Sequence, residues 1–186
     1  MISNKIILGF TGLIASGKGT AAKYFNEKYG ATTYRFSTML RDLLNRIHVE
    51  HSRDNIIKIS EAIRRDFGED VMAKTMAADA EADTNPFIVI EGIRRMADIE
   101  YLSRLPNFIL IEIFAEPITR FERLVKRGEN VGDTTKTYEQ FLEDHKRSTE
   151  VSILDVIPRA TERVDNNGTI DDLKKQLDAL VTKYSS

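Results

Sequence analysis

The chain contains no cysteine, which removes disulfide scaffolds, thiolate nucleophiles and zinc–thiolate sites together. Histidine is nearly as scarce, with only His48, His51 and His145. His48 and His51 fall near an expected loop, and no carboxylate cluster completes a metal-ligand set around them, so they read as solvated side chains. No apolar run approaches the roughly 20 residues needed to span a bilayer. The opening segment MISNKIILGF lacks the long apolar stretch and small-residue cleavage site of a secretory leader. A soluble, cytoplasmic protein is expected. An excess of either charge is missing too: 27 Lys and Arg against 29 Asp and Glu give a net charge of -2. A broad basic face for duplex nucleic acid is therefore not indicated.

What remains is an ordinary globular composition, 41% hydrophobic and 30% charged over 186 residues, enough for one domain with a sizeable core and small inserted lobes. Five short apolar runs read as strands: Ile6–Thr11, Thr32–Phe36, Phe87–Glu91, Phe108–Phe114 and Arg163–Asp165. FIVIE and FILIEIF are β-branched and almost continuously apolar, as strands covered on both faces of a parallel sheet are. Helical periodicity lies between them. Ile56, Ile59, Ile63 and Phe67 form one stripe, and Pro117 and Gly128 punctuate the ends of another helix. Thr169 and Asp172 stand in capping-box spacing before a stripe of Ile170, Leu173, Leu177, Val181 and Tyr184. Strands alternating with helices predict an α/β domain with a five-stranded parallel sheet. The core is expected in residues 1–36, 86–127 and 151–186, with insertions at 37–85 and 128–150.

The most informative stretch is IILGFTGLIASGKGT, Ile6 to Thr20. A strand that runs into Gly12, Ala15, Ser16, Gly17, Lys18 and Gly19 and then into a helix is the pattern of a phosphate-binding loop. Glycines let successive N–H groups point inward as an anion nest at the helix N-terminus, and Lys18 adds a positive charge for the β- and γ-phosphates. The general pattern puts Ser or Thr directly after the lysine; here Gly19 intervenes and the hydroxyl comes at Thr20. This GKGT ending resembles adenylate kinase and its nucleoside-monophosphate-kinase relatives.

That resemblance covers most of the chain and implies a three-layer P-loop fold with a monophosphate-binding insertion (37–85) and a lid (128–150). It implies ATP and Mg²⁺ as cofactors. FSTMLRDLL is similar to the segment opening the monophosphate-binding helix, which puts Arg41 where the acceptor's phosphate is held. FIVIEGIRR resembles the Walker-B-like strand, although glutamate stands where aspartate is more frequent. Glu91 would then orient waters on magnesium and Gly92 would let substrate approach the backbone. Adenylate kinases place the acceptor arginine three after this glycine and others two after, so Arg94 and Arg95 both stay open.

Arg120, Arg123 and Arg127 fall on one face of the helix from Pro117, which resembles the helix leading into the lid. The resemblance gives Arg123 and Arg127 roles on the nucleotide phosphates, with Arg147 where the chain leaves the lid. RVDNNGTIDDL is similar to the last strand and turn of dephospho-coenzyme-A kinases, implying an adenine contact near Asn167. Three functions follow as expectations: ATP-dependent phosphorylation of a nucleoside or deoxynucleoside monophosphate, phosphorylation of dephospho-coenzyme A, or a nucleotide-dependent assembly factor. The expected partners are ATP and a small phosphorylated acceptor, without membrane or nucleic acid.

Overall fold

The computed structural model describes residues 5–128, 133–144 and 148–185. Among them, five strands form one parallel sheet: β1 (Ile6–Thr11), β2 (Thr32–Arg35), β3 (Phe87–Glu91), β4 (Phe108–Phe114) and β5 (Glu162–Asp165), in the order β2-β3-β1-β4-β5. β1 is buried along its whole length, as its apolar composition requires. Its alternate side chains feed two cores. Leu8 and Phe10 join Val89, Ile111 and Ile113 beneath α1 (Lys18–Tyr29) and α9 (Ile170–Tyr184), meeting Ala21, Phe25, Leu173 and Leu177. Ile7, Ile88, Ile90 and Leu110 face the other way, against Phe36 and Leu40 of α2 (Phe36–Arg46) and Met72 and Met76 of α4 (Val71–Ala82). The domain therefore has helices on both faces of a parallel sheet.

β3 is inserted between β1 and β2, and β4 lies on the far side of β1. The chain thus reverses its direction of winding at β1, and ligands of such sheets bind outside the carboxyl ends of the strands at that reversal. The segment 37–85 contributes α2, α3 (Arg53–Phe67) and α4, which pack on one face of the sheet at its β2 side. After β3 come α5 (Met96–Glu100) and, beyond β4, α6 (Pro117–Arg127), α7 (Tyr138–Asp144) and α8 (Ser148–Val156). α6 begins with proline in its first turn and stops at Gly128 in the left-handed conformation. α9 carries the reciprocal capping box between Thr169 and Asp172. No helix among the described residues is long and apolar enough to cross a membrane.

Two boundaries differ from the sequence reading. Phe36 opens α2 instead of closing β2, since its buried ring packs among helix residues. β5 begins one residue earlier, at Glu162, which pairs with Ile111.

Candidate active site

The loop from Gly12 to Gly17 joins the end of β1 to the start of α1. Gly12 has φ 140° and Gly17 φ 105°, both in the region that glycine alone enters cheaply. Ala15 also has a positive φ, 59°, and closes the turn. Gly17 is the N-cap of α1 and offers no side chain to its own helix, so the first N–H groups are left for a ligand. Lys18 Nζ folds over the loop and donates to the carbonyls of Gly12 (2.6 Å) and Leu13 (2.9 Å). Ser16 is buried, whereas Gly19 and Thr20 are exposed.

Two side chains clamp this loop, and the sequence reading assigned neither to it. Asn166, buried at the end of β5, donates from Nδ2 to the Ser16 carbonyl at 2.8 Å. It lies so close that a Cβ on Gly17 would overlap its Nδ2. Arg120 reaches the loop from α6, donating from Nη1 to the Ile14 carbonyl (3.3 Å) and from Nε to the Ala115 carbonyl (3.0 Å). Its guanidinium also sits 5.4 Å from the centre of the Phe141 ring. Arg120 is 2% exposed, so burial is graded along the arginine face of α6. Arg120 is buried, Arg123 half-buried and Arg127 exposed. The reason is tertiary: α7 packs Tyr138 and Phe141 against Phe121, with ring centroids 5.3 and 5.7 Å away, and closes over the first turns of α6.

Arg123 lies one turn beyond Arg120. Its Nη1 is buried without a hydrogen-bond partner among the described residues, and burial pulls the guanidinium below its usual pKa, with Glu122 countering. A native structure rarely strands a charged donor in this way, and ligand sites are where it does. Arg147 lies outside the described residues. Asn167 is exposed at the rim: its Oδ1 accepts from the Glu116 N–H at 2.8 Å, fixing the start of α6.

On the other side of the loop, β2 and β3 end together, with Arg35 and Glu91 as register partners. Arg35 Nη2 lies 3.0 Å from Glu91 Oε2, the carboxylate nearly enclosed and the guanidinium half in solvent. The pair stands directly against the nucleotide loop, since a Cβ on Gly19 would lie 3.7 Å from both Arg35 Nη2 and Glu91 Oε2. Gly92 follows with φ 80°, and a Cβ there would come 3.8 Å from Arg35 Cγ. Arg35 was missed because period-2 alternation identifies a strand, not which of its residues faces a neighbour's carboxylate.

Arg94 and Arg95 are exposed, and their backbone N–H groups both donate to Asp98 Oδ2, at 2.9 and 3.0 Å. Burial pushes the Asp98 carboxyl up in pKa; those N–H groups and the charges of Arg64 and Arg95 pull it back. Arg95 also lies 3.9 Å from Glu69 of the insertion. Arg41 is exposed on α2. Beside Arg35, a cleft of about 690 Å³ opens between β2, α2, α3 and α4. Met39, Met72, Met76 and Val71 give it apolar walls, and Thr38 and Asp42 add polar groups.

Comparison with known proteins agrees with this geometry. A family model described as an AAA domain matches residues 11–141. A UPF0200 protein from Methanothermobacter thermautotrophicus is 28% identical over 183 residues, covering 98% of this chain and 92% of the relative. Another, from Methanocaldococcus jannaschii, is 28% identical over 178 residues, covering 95% and 89%. Among solved structures, a shikimate kinase from Bacteroides thetaiotaomicron superposes with a TM-score of 0.63 at 13% identity, covering 97% of this chain and 99% of that one. A shikimate kinase from Acinetobacter baumannii, solved with shikimate, gives 0.59 at 13% identity, covering 97% and 96%. These likenesses establish the kinase-like P-loop fold.

Proposed function

The chain belongs to the AAA-domain family, with a P-loop kinase-like fold of the nucleotide-binding phosphotransfer type, and on that premise we propose that it is an ATP-dependent kinase of nucleoside or deoxynucleoside monophosphates. One observation carries this reading. The cleft beside β2 and the phosphate loop share a wall at Arg35, so an acceptor in the cleft abuts a nucleotide on the loop.

The loop N–H groups and Lys18 hold the β- and γ-phosphates, and Arg123 and Arg127 reach them from α6; the lid arginine of the resemblance, Arg147, lies outside the described residues. Arg41 and one of Arg94 and Arg95 hold the acceptor's phosphate. An acceptor phosphate oxygen forms the bond to Pγ as the bond from Pγ to the β-phosphate oxygen breaks, and ADP leaves with that electron pair. No general base is needed, because the attacking oxygen is already anionic at neutral pH. Catalysis is then positioning and charge neutralisation, which suits a site furnished with arginines and no protein nucleophile.

The residues present fit a hydrated magnesium ion. Glu91 Oε1 makes no hydrogen bond with the described residues and is left to bind waters of the ion, while the Thr20 hydroxyl serves the phosphates; a hard cation that keeps most of its waters requires little more from protein. A magnesium ion held there would supply positive charge against the phosphates.

Asp42 on the cleft wall favours a second reading, in which the acceptor is a hydroxyl such as that of dephospho-coenzyme A and Asp42 takes its proton. Both readings are tested by ADP formation from ATP and magnesium with each ribo- and deoxynucleoside monophosphate, dephospho-coenzyme A, and a blank. Turnover raised by one or two monophosphates and lost in Lys18→Ala is expected. Stimulation by dephospho-coenzyme A alone would select the second reading. Slow hydrolysis that no acceptor raises would refute both, and would point to a nucleotide-driven assembly factor.

A further inference from the structure

We propose that Arg35 is the residue that carries positive charge between acceptor and donor at the moment of transfer, held there by Glu91. This rests on the reading of the protein as a monophosphate kinase and adds a residue that neither the phosphate-loop pattern nor the other arginines identify.

Three features single it out. Arg35 is the last residue of β2 and the N-cap of α2, so its backbone is fixed by a parallel ladder on one side and a helix on the other. Its side chain lines the cleft, pairs with Glu91 and stands beside Gly19, touching acceptor space and donor space at once. Its guanidinium is only partly used: Nη2 meets Glu91, and Nε and Nη1 have no partner among the described residues. A rigid fork with spare donors, anchored by one carboxylate, is suited to gripping phosphate oxygens. Arg41, Arg94 and Arg95, which hold the acceptor's phosphate in that reading, do not stand on the wall that the cleft shares with Gly19. All three are exposed, and the peptide N–H groups of Arg94 and Arg95 donate to Asp98.

The physical need is plain. Moving a phosphoryl group onto an acceptor that is itself a phosphate brings two anions together, and a guanidinium between them offsets that repulsion as charge shifts in the transition state. Glu91 anchors one end of the half-exposed guanidinium. It also leaves one oxygen for waters around magnesium, so the same carboxylate ties the acceptor cation to the metal side of the site.

The test compares Arg35→Ala, Arg35→Lys and Arg41→Ala with wild type, using the acceptor that the panel identifies. Each variant is first checked for an unchanged melting temperature and for binding of a fluorescent ATP analogue, which report the fold and the loop. For Arg35→Ala the expectation is a kcat lowered about 100-fold or more and an acceptor KM raised about tenfold, with the KM for ATP within about threefold of wild type. Arg35→Lys should recover part of kcat, because charge returns without the fork. The proposal is overturned if Arg35→Ala leaves kcat and acceptor KM within about twofold, or if its effect falls on ATP binding instead. A wild-type protein that turns over no monophosphate would defeat the underlying kinase reading, before any variant is made, and the Arg35 assignment with it.

Discussion

Gly17 and Asn166 offer a quantitative check on how the nucleotide loop is held. Alanine at Gly17 perturbs two things at once. It places a Cβ on a residue with φ 105°, which costs about 1–2 kcal/mol, partly offset by about 0.4–1 kcal/mol from a less flexible unfolded chain. It also drives that Cβ into Asn166 Nδ2, so the buried 2.8 Å bond to the Ser16 carbonyl must break. Losing such a bond and stranding its partner costs about 1–3 kcal/mol. Gly17→Ala should therefore destabilise by about 3 kcal/mol, a fall of about 10 °C in melting temperature for a chain of this size. Asn166→Ala breaks the same bond without the backbone strain and should cost about 2 kcal/mol. Because the bond can be lost only once, the double variant should be no worse than Gly17→Ala alone, a coupling of about 2 kcal/mol. Urea unfolding followed by far-ultraviolet circular dichroism measures all four corners of the cycle. Additivity within about 0.5 kcal/mol would refute the contact between Asn166 and the loop.

Other outcomes follow from the same geometry. Lys18→Ala should leave the melting temperature nearly unchanged while abolishing most turnover, by about 100-fold or more, in a steady-state ADP assay. Arg120→Ala should cost about 2–4 kcal/mol in chemical denaturation, since it strands the Ala115 and Ile14 carbonyls and uncovers Phe141. Arg123→Met should instead be neutral or slightly stabilising, because the buried Nη1 it removes has no partner, while kcat falls; equal losses of stability at 120 and 123 would contradict the distinction. Asp98 gives a pH signature. Its folded carboxyl is raised by burial, so its contribution is full below the unfolded value and is lost as the pH rises through the folded one. Asp98→Asn can accept the same two N–H bonds without titrating, so its stability relative to wild type should improve as the pH rises above the ordinary aspartate range. A difference that stays flat over that rise in denaturant titrations would count against the buried carboxylate.

The extent to which the sequence disclosed the protein follows from where each signal is written. β1, β3 and β4 were legible to the residue because strands covered on both faces are mostly apolar, and glycine, proline or a charge lies within two residues of each end. The phosphate loop was legible because its conformation demands residue types at fixed offsets. The grip on that loop was not. Asn166 and Arg120 lie far from it along the chain, and nothing local distinguishes Asn166 from its exposed neighbour Asn167. Periodicity put Arg120 on the basic side of α6 correctly, yet only the packing of α7 decides that this side is buried at its first turn. Arg35 shows the same limit: β2 is short and half-exposed, and its last residue matters only because the ladder sets it opposite Glu91. The cleft likewise depends on how α2, α3 and α4 stand around β2, and the sequence reading placed helices there without their arrangement.

The central claim is transfer of a phosphoryl group to a monophosphate, and the most direct measurement follows that group. ATP labelled in its γ-phosphoryl oxygens, incubated with magnesium, the protein and the nucleoside monophosphates, should deliver the label to the β-position of a nucleoside diphosphate, seen by mass spectrometry. Label found only in inorganic phosphate would contradict the kinase account and leave a nucleotide hydrolase in its place.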